Sequence, residues 1–163
     1  MILIGIGANL AGRFGSPRAT CEAALTALAG AGTEVEIVAR SRWWRTAPVP
    51  ASDQPWFING VAAIATPLDP DALLALLHDI ERDLGRVRSI PNAARVIDLD
   101  LLAYHDIVRD GPAQIPHPRL HERAFVLFPL MDITTDWRHP TLGVPVSELV
   151  ARLSPTQVAE PDP

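Results

Sequence analysis

The sequence contains no lysine: all 14 basic residues among its 163 are arginines. This absence excludes a lysine Schiff base and the lysine of a phosphate-binding P-loop. The glycines of GIGANL do not complete a dinucleotide-binding fingerprint either, because Leu10 stands where the third glycine belongs. Any phosphate held by a side-chain cation must therefore be held by arginine, which can present two N–H groups to two oxygens.

Cysteine is scarce too, since Cys21 is the only one. A single cysteine excludes an intramolecular disulfide and is typical of a reducing compartment. The net charge of -5 argues against broad nucleic-acid binding. The apolar opening, residues 1–8, is too short to span a membrane and carries no basic leader. We expect a cytoplasmic monomer whose partners are small molecules, with neither nucleic acid nor membrane.

The chain is long enough for one domain with a sizeable core, and its composition is that of a globular protein, with 48% hydrophobic and 20% charged residues. We expect this domain to span residues 1–153. The last ten residues, SPTQVAEPDP, have almost nothing apolar to bury. They are expected to form a disordered tail over residues 154–163.

Apolar runs and alternation predict four strands, at residues 2–8, 34–46, 57–66 and 95–104. Helix-start signals precede two helices: Ser16 followed by Pro17, and Asp69 followed by Pro70. The first helix runs to about residue 30, and glycine at position 85 stops the second. Residues 123–133 and 146–153 are expected to add helical cover. The order β-α-β-β-α-β predicts an α+β, ferredoxin-like fold, with two helices packed on one face of an antiparallel sheet.

Two aspartates, Asp98 and Asp100, interrupt the fourth strand. Residues two apart share one face of a strand, so the two carboxylates are neighbours, with Cα atoms about 6.6 Å apart. Both could reach one divalent ion or an adjacent pair of ions. The alternative is an edge strand whose aspartates are merely solvated. Against it, Val96 and Leu102 flank the acids on the same face, where unpaired charge is costly.

Half of the arginines fall in the same part of the chain as these aspartates. They are Arg82, Arg86, Arg88, Arg95, Arg109, Arg119 and Arg123. One interpretation is a set of surface salt bridges, each contributing about 0 to 1 kcal/mol. The other is a site for a metal-bound polyphosphate, in which the acids hold the metal and the arginines hold the phosphates.

Six segments, spread in order over roughly residues 2–133, together resemble one family, the 6-hydroxymethyl-7,8-dihydropterin pyrophosphokinases of folate biosynthesis. The segments are IGIGANL, SRWWRTAPV, QPWFING, IERDLGRVR, ARVIDLDLL and IPHPRLHERAFVLFPL. Enzymes of this family transfer pyrophosphate from ATP to the hydroxymethyl group of the pterin and release AMP. The resemblance also implies a ferredoxin-like core, in agreement with the order of predicted elements.

The resemblance further implies roles for individual residues. Asp98 and Asp100 would hold two Mg²⁺ ions, hard cations that suit carboxylate oxygens and complete their shells with water and phosphate. Together with Arg86 and Arg95 they would form the catalytic set. ATP would contact these positions: Glu81, Arg86, Arg88, Arg95, His117, Arg119 and Arg123. The pterin would contact Thr46, Pro48, Val49, Phe57, Asn59 and Phe125, with its flat ring between the two phenylalanines.

The segment between Arg88 and Arg95 departs from the family's sequence. Relatives carry a tryptophan, a glycine and a proline there, whereas this chain has SIPNAA, one residue shorter. We expect residues 87–94 to be mobile without substrates and to close through arginine contacts and Asn92. Two other functions use the same features: a metal-dependent phosphohydrolase, with water as acceptor, and a non-catalytic ligand-binding module.

Overall fold

The computed structural model describes residues 1–87 and 91–163. Within these ranges the strands are β1 (Ile2–Ala8), β2 (Glu36–Arg40), β3 (Trp44–Thr46), β4 (Phe57–Ala65), β5 (Asp98–Tyr104) and β6 (Ala159–Pro161). The α-helices are α1 (Pro17–Leu28), α2 (Pro70–Asp83), α3 (Ala124–Ile133) and α4 (Val146–Ala151). Short 3₁₀ turns lie at Gly12–Phe14 and Leu120–Glu122. The α+β class is confirmed, while the order of elements differs from the prediction in two places, at residues 34–46 and in the C-terminal tail.

The six strands form one open antiparallel sheet in the order β5-β1-β4-β3-β6, with β2 also paired to β4. Helices α1 and α2 cover one face, where the odd-numbered leucines of β5 and the isoleucines of β1 are buried. Helices α3 and α4 cover the other face and enclose a second cluster around Leu127 and Leu130. Two helices on one face of the sheet agree with the ferredoxin-like prediction. None of the helices in the described ranges is long and apolar enough to cross a lipid bilayer.

Side-chain caps fix where the first two helices begin. The hydroxyl of Ser16 accepts a hydrogen bond from Ala19 N at 3.1 Å, and the carboxylate of Asp69 accepts one from Ala72 N at 2.8 Å. Each cap satisfies an N–H group that has no partner inside its helix, and the proline that follows needs none. Gly85, at φ +102, ends the turn after α2 in a conformation that favours glycine.

The predicted strand at residues 34–46 is in fact two strands, β2 and β3, separated at residues 41–43. Ser41 causes the break: its N–H donates to Val61 O, and its hydroxyl accepts from Val61 N, both at 2.9 Å. A side-chain oxygen thus replaces a backbone carbonyl in the ladder. Trp43 and Trp44 then face opposite sides of the sheet, and both are buried.

The expectation of a disordered tail at residues 154–163 is wrong. Residues 159–161 form β6, which pairs with β3. Gln157 adds two hydrogen bonds, donating to Glu122 O at 2.8 Å and accepting from Ala124 N at 2.9 Å. Arg18 also pairs with Asp162 at 2.9 Å. The tail is held by backbone and polar contacts to a free sheet edge, so its lack of apolar residues did not predict its order.

Candidate active site

The two aspartates of β5 face a cavity on the α3 side of the sheet. Asp98 and Asp100 pair with Gly7 and Gly5 of β1 in the antiparallel register. All four residues line a cavity of about 110 Å³. Because glycine has no side chain, β1 leaves open the space beside the carboxylates. The prediction that the two carboxylates share one strand face is therefore confirmed.

The alternative of solvated aspartates does not hold, although β5 is indeed an edge strand. The side chain of Asp98 is only 23% exposed, and both of its oxygens are occupied. Arg86 Nη1 donates to Oδ1 at 2.8 Å, and Arg95 Nη1 donates to Oδ2 at 2.9 Å. These ion pairs are part-buried, so water screens them less than pairs at the surface.

Glu81, on α2, lies behind Arg86 rather than on the wall of the cavity. It is 5% exposed, and its carboxylate accepts a hydrogen bond from Leu99 N at 2.8 Å and contacts the Arg86 guanidinium. Burial raises the pKa of Glu81, while the Leu99 N–H and Arg86 oppose the rise. Glu81 therefore connects α2 to β5 and holds Arg86 in place. It also lines, with Arg86, a second hollow of about 430 Å³.

Asp100 is part-buried on the same face of β5 as Asp98. Its pKa is raised to about 7, first by burial and then by the Asp98 charge, while Arg123 and Arg95 oppose the rise. Within residues 1–87 and 91–163, no hydrogen bond satisfies its carboxylate. A part-buried acid in this condition favours a cation nearby. Arg123, which lines the same cavity, has its own pKa lowered by burial and then by Arg119.

Of the remaining positions predicted to contact ATP, His117 is held beside β5 and Arg119 is at the surface. The backbone N–H of His117 donates to Leu102 O at 2.9 Å. Burial, and then the Arg123 charge, lower the pKa of His117 to about 4. Its Nδ1 accepts from Arg119 N at 3.2 Å, so Nε2 carries the proton and can donate. Arg119 itself is half exposed and pairs with Glu122, and Arg88 lies outside the described residues.

All the positions predicted to contact the pterin line the same cavity as the aspartates. They are Thr46, Pro48, Val49, Phe57, Asn59 and Phe125. They come from β3, the loop after it, β4 and α3, and the Arg123 guanidinium lies over the Phe125 ring, 5.2 Å from its centroid. Asn59 Nδ2 donates to Thr46 Oγ1 at 2.6 Å, which fixes the orientation of the amide. A Cβ at Gly7 would come within 2.5 Å of Asn59 Oδ1, so only glycine fits beside it.

The cavity thus joins two carboxylates, two arginines (Arg95 and Arg123), two phenylalanines and the Asn59 amide. Comparison with known proteins agrees with this combination. The family model for 7,8-dihydro-6-hydroxymethylpterin-pyrophosphokinase matches residues 3–135. The chain belongs to this family. It is therefore an enzyme of folate synthesis that transfers the pyrophosphoryl group of ATP to hydroxymethyldihydropterin, and the hydrolase and binding-module alternatives are not supported.

Bacterial relatives match this chain along nearly its whole length. The 2-amino-4-hydroxy-6-hydroxymethyldihydropteridine pyrophosphokinase of Methylorubrum extorquens is 40% identical over 95% of this chain and 94% of its own. The enzyme of the same name from Pseudomonas aeruginosa is 40% identical over 92% of this chain and 90% of its own. A fungal relative is much longer. The chain matches only 16% of the Folic acid synthesis protein fol1 of Pneumocystis carinii, at 38% identity.

The site also contains a group of hydrogen-bonded residues, centred on Asn9, that the sequence did not predict. Asn9 is 2% exposed, and its amide donates to Gln54 Oε1 at 3.1 Å and to Pro55 O at 3.0 Å. Its Oδ1 accepts from Arg95 N at 2.8 Å. Gln54 Nε2 in turn donates to Asn92 O. No spacing rule could find this group, because its members are far apart in sequence.

The segment after α2 was expected to be mobile at residues 87–94. Residues 88–90 lie outside the described residues. Within the segment, Asn92 O accepts a hydrogen bond from Gln54 Nε2. Arg95, which follows the segment, is held because Asn9 N and Leu10 N both donate to its carbonyl oxygen, at 3.0 and 3.1 Å. Asn92 adopts φ +62, a left-handed conformation that asparagine tolerates well. Residues 92–95 therefore already contact the loop that carries the pterin positions.

Proposed function

We propose that the cavity beside β5 holds both substrates, with the pterin at its phenylalanines and the triphosphate of ATP at its arginines. The observation that carries the proposal is the meeting of the two predicted sets in one cavity. Thr46, Asn59 and Phe125 line it together with Asp98 and Asp100, although β3, β4, β5 and α3 supply them separately. A reacting hydroxyl and a phosphate would then lie next to both carboxylates.

The two aspartates are the proposed holders of two Mg²⁺ ions. Their oxygens are hard ligands, and Asp100 is a part-buried carboxylate with no hydrogen bond in the described ranges, as expected of a residue that binds a cation. Within those ranges no group of three or more potential ligand side chains forms a closed protein cage. Mg²⁺ usually keeps water and phosphate oxygens in its shell, so two carboxylates are enough. Bound Mg²⁺ would neutralise negative charge on the phosphates.

The arginines and His117 are proposed to hold the triphosphate. Arg86, Arg95 and Arg123 can each donate charge-assisted hydrogen bonds to phosphate oxygens. His117 is neutral at pH 7, because burial lowers its pKa to about 4, and it donates through Nε2–H. Glu81 contributes by holding Arg86. The hollow beside Arg86, of about 430 Å³, offers space for the remainder of the nucleotide.

The pterin is proposed to lie between Phe57 and Phe125, with its amide edge facing Asn59. The Thr46 hydroxyl fixes the Asn59 amide, so this edge meets a preset donor and acceptor. The pterin hydroxyl oxygen then forms a bond to the β-phosphorus of ATP, and the hydroxyl proton is released to solvent. The bond between that phosphorus and the oxygen bridging to the α-phosphate breaks, and AMP leaves with that oxygen. Catalysis here is positioning and charge stabilisation, without a covalent intermediate.

Product analysis tests this function. The protein is incubated with ATP and Mg²⁺, with and without 6-hydroxymethyl-7,8-dihydropterin, and the nucleotides are separated by chromatography. AMP should accumulate only with the pterin, in equal amount to the pterin diphosphate. ADP released without the pterin would instead indicate hydrolysis. We also propose a cytoplasmic monomer without nucleic-acid or membrane partners, as the net charge of -5 and the single, buried cysteine support.

A further inference from the structure

Both oxygens of Asp98 are already taken in the substrate-free site. Arg86 Nη1 lies 2.8 Å from Oδ1, and Arg95 Nη1 lies 2.9 Å from Oδ2. A divalent cation binds a carboxylate oxygen at about 2.1 Å. Each oxygen of Asp98 has a second lone pair, but a cation there would lie close to a guanidinium, and the two positive charges would repel each other. A metal ion therefore binds Asp98 more tightly once at least one arginine has left it.

Other residues hold the two arginines in these positions. Arg86 contacts the buried carboxylate of Glu81, which itself accepts from Leu99 N on the same strand as Asp98. The backbone of Arg95 is fixed on both sides by Asn9, through its N–H and its carbonyl. Neither arginine is a loose surface side chain, since their side chains are only 30% and 26% exposed. The contacts to Asp98 are thus built into α2 and the start of β5.

We infer that Arg86 and Arg95 form a guanidinium lock on Asp98, which keeps bare divalent cations out of the site and opens when a triphosphate arrives. The inference rests on the proposed role of Asp98 as a metal ligand. Phosphate oxygens are the alternative acceptors for the same N–H groups, with comparable geometry and more negative charge. A triphosphate that draws the two guanidiniums away frees both oxygens of Asp98. Metal and nucleotide then enter together, and neither binds well alone.

The lock predicts opposite effects of one substitution on two ligands. Arg86→Ala removes a competitor for Asp98 Oδ1, so bare cations should bind more tightly. The same change removes a phosphate donor, so nucleotide should bind less tightly. If Arg86 were merely structural, Arg86→Ala would weaken the binding of both the bare cation and the nucleotide. Arg95→Ala should act in the same direction, because it frees Oδ2.

The test is titration of the nucleotide-free protein with Mn²⁺ alone, with free Mn²⁺ followed by electron paramagnetic resonance. Arg86→Ala and Arg95→Ala should each raise Mn²⁺ affinity about tenfold, the effect of one ion pair of about 1.4 kcal/mol. Adding Asp98→Ala to either variant should abolish the gain. A non-hydrolysable ATP analogue with Mn²⁺ should bind about tenfold more weakly to both arginine variants.

Two further arginines serve as controls. Arg82→Ala removes an exposed arginine that pairs with Asp79, and it should leave Mn²⁺ affinity unchanged. Arg123→Ala removes a positive charge beside Asp100 that makes no ion pair with Asp98 in the described ranges, and its effect should be small. An equal gain in Arg123→Ala would show general repulsion, and the lock would be wrong. Tight Mn²⁺ binding by the unmodified protein, or no gain in Mn²⁺ affinity in Arg86→Ala, would also show that the lock is wrong.

Failure of the proposed function gives a different result. If Asp98 is not a metal ligand, the ATP analogue with Mn²⁺ binds Asp98→Ala as well as it binds the unmodified protein. If only the lock is wrong, that binding is lost in Asp98→Ala while the arginine variants show no gain for Mn²⁺ alone. Circular dichroism of each variant establishes that it is folded, and Arg86→Gln replaces Arg86→Ala if the latter does not fold.

Discussion

The amide of Asn59 donates a hydrogen bond of 2.6 Å to the hydroxyl of Thr46, which joins β4 to β3 inside the cavity. This bond fixes which end of the Asn59 amide is the donor and which is the acceptor. Both residues are buried, so water does not compete for the bond. The recognition edge for the pterin is therefore set before any ligand arrives.

Thr46→Val should loosen this edge. The substitution keeps the shape of the side chain but removes the hydroxyl, leaving the Asn59 N–H buried without its partner, at a cost of about 1 to 3 kcal/mol. We expect pterin affinity, measured by calorimetry, to fall about tenfold or more, with ATP affinity almost unchanged. Thr46→Ser restores the hydroxyl and should bind pterin nearly normally. Normal affinity in Thr46→Val would mean that the bond does not order the site.

Phe57→Ala and Phe125→Ala should weaken pterin binding much more than ATP binding. Each removes an aromatic face, and stacking contributes about 0.5 to 1.5 kcal/mol beyond the buried area. The two ligands are titrated separately by calorimetry. Phe14→Ala is the control, because Phe14 is 38% exposed and does not line the cavity. Equal losses for both ligands would indicate damage to the fold and not a stacking site.

Gln54→Ala should raise the KM of both substrates by about three- to tenfold, with a smaller change in kcat. Gln54 joins Asn9 to Asn92, so its loss loosens the pterin loop and the segment that carries Arg95 together. Steady-state kinetics with each substrate varied in turn measures both effects. Asp53→Ala changes an exposed neighbour in the same loop and should be silent. An effect on only one substrate would argue against a shared connection.

The local elements of this fold could be predicted from the sequence because their causes are local. An uninterrupted apolar run gave β1, and the Ser16-Pro17 and Asp69-Pro70 pairs gave the starts of α1 and α2. The two-residue spacing of Asp98 and Asp100 placed both carboxylates on one face for the same reason. Such signals lie within a few residues of what they determine.

The features that were mispredicted depend on contacts between distant residues. Ser41 breaks the strand only because Val61 of β4 lies opposite it. The tail is ordered because β3 offers a free edge, about 115 residues away in sequence. The hydrogen bond between Asn9 and Gln54 joins residues 45 positions apart, and the identity of either residue alone does not indicate its partner. The family resemblance supplied the site residues, but not the way in which Asp98 is paired.

A pH-dependent loss of stability is expected from His139, away from the site. Its side chain is 5% exposed, and its Nδ1 accepts the N–H groups of Thr141 and Leu142, both at 3.2 Å. Burial, and then His121, lower the pKa of His139 in the folded protein. The unfolded chain therefore takes up a proton first, near its ordinary pKa of about 6.5. Folding stability from this group is full above that pH and is lost as the pH falls below it.

His139→Asn tests this expectation, because the asparagine oxygen can accept the same two N–H groups and does not titrate. Thermal unfolding is compared at pH 5 and pH 8 without substrates. The unmodified protein should lose several degrees more than His139→Asn between the two values, about 2 to 4 °C for each kcal/mol. His105→Asn changes an exposed histidine and should follow the unmodified protein. Parallel behaviour of all three proteins would refute the assignment.

The central claim is that Asp98 and Asp100 support transfer between two substrates bound in one cavity. It is tested most directly by single-turnover rapid quench of Asp98→Ala and Asp100→Ala, with saturating Mg²⁺ and ATP and with protein in excess over pterin, counting AMP and pterin diphosphate together. Each variant should be slower by at least about a hundredfold, since each loses a ligand for charge stabilisation of several kcal/mol. Both variants should remain folded, because each substitution removes one of two like charges that repel each other on one strand face. Near-normal formation of both products by either variant would contradict the account.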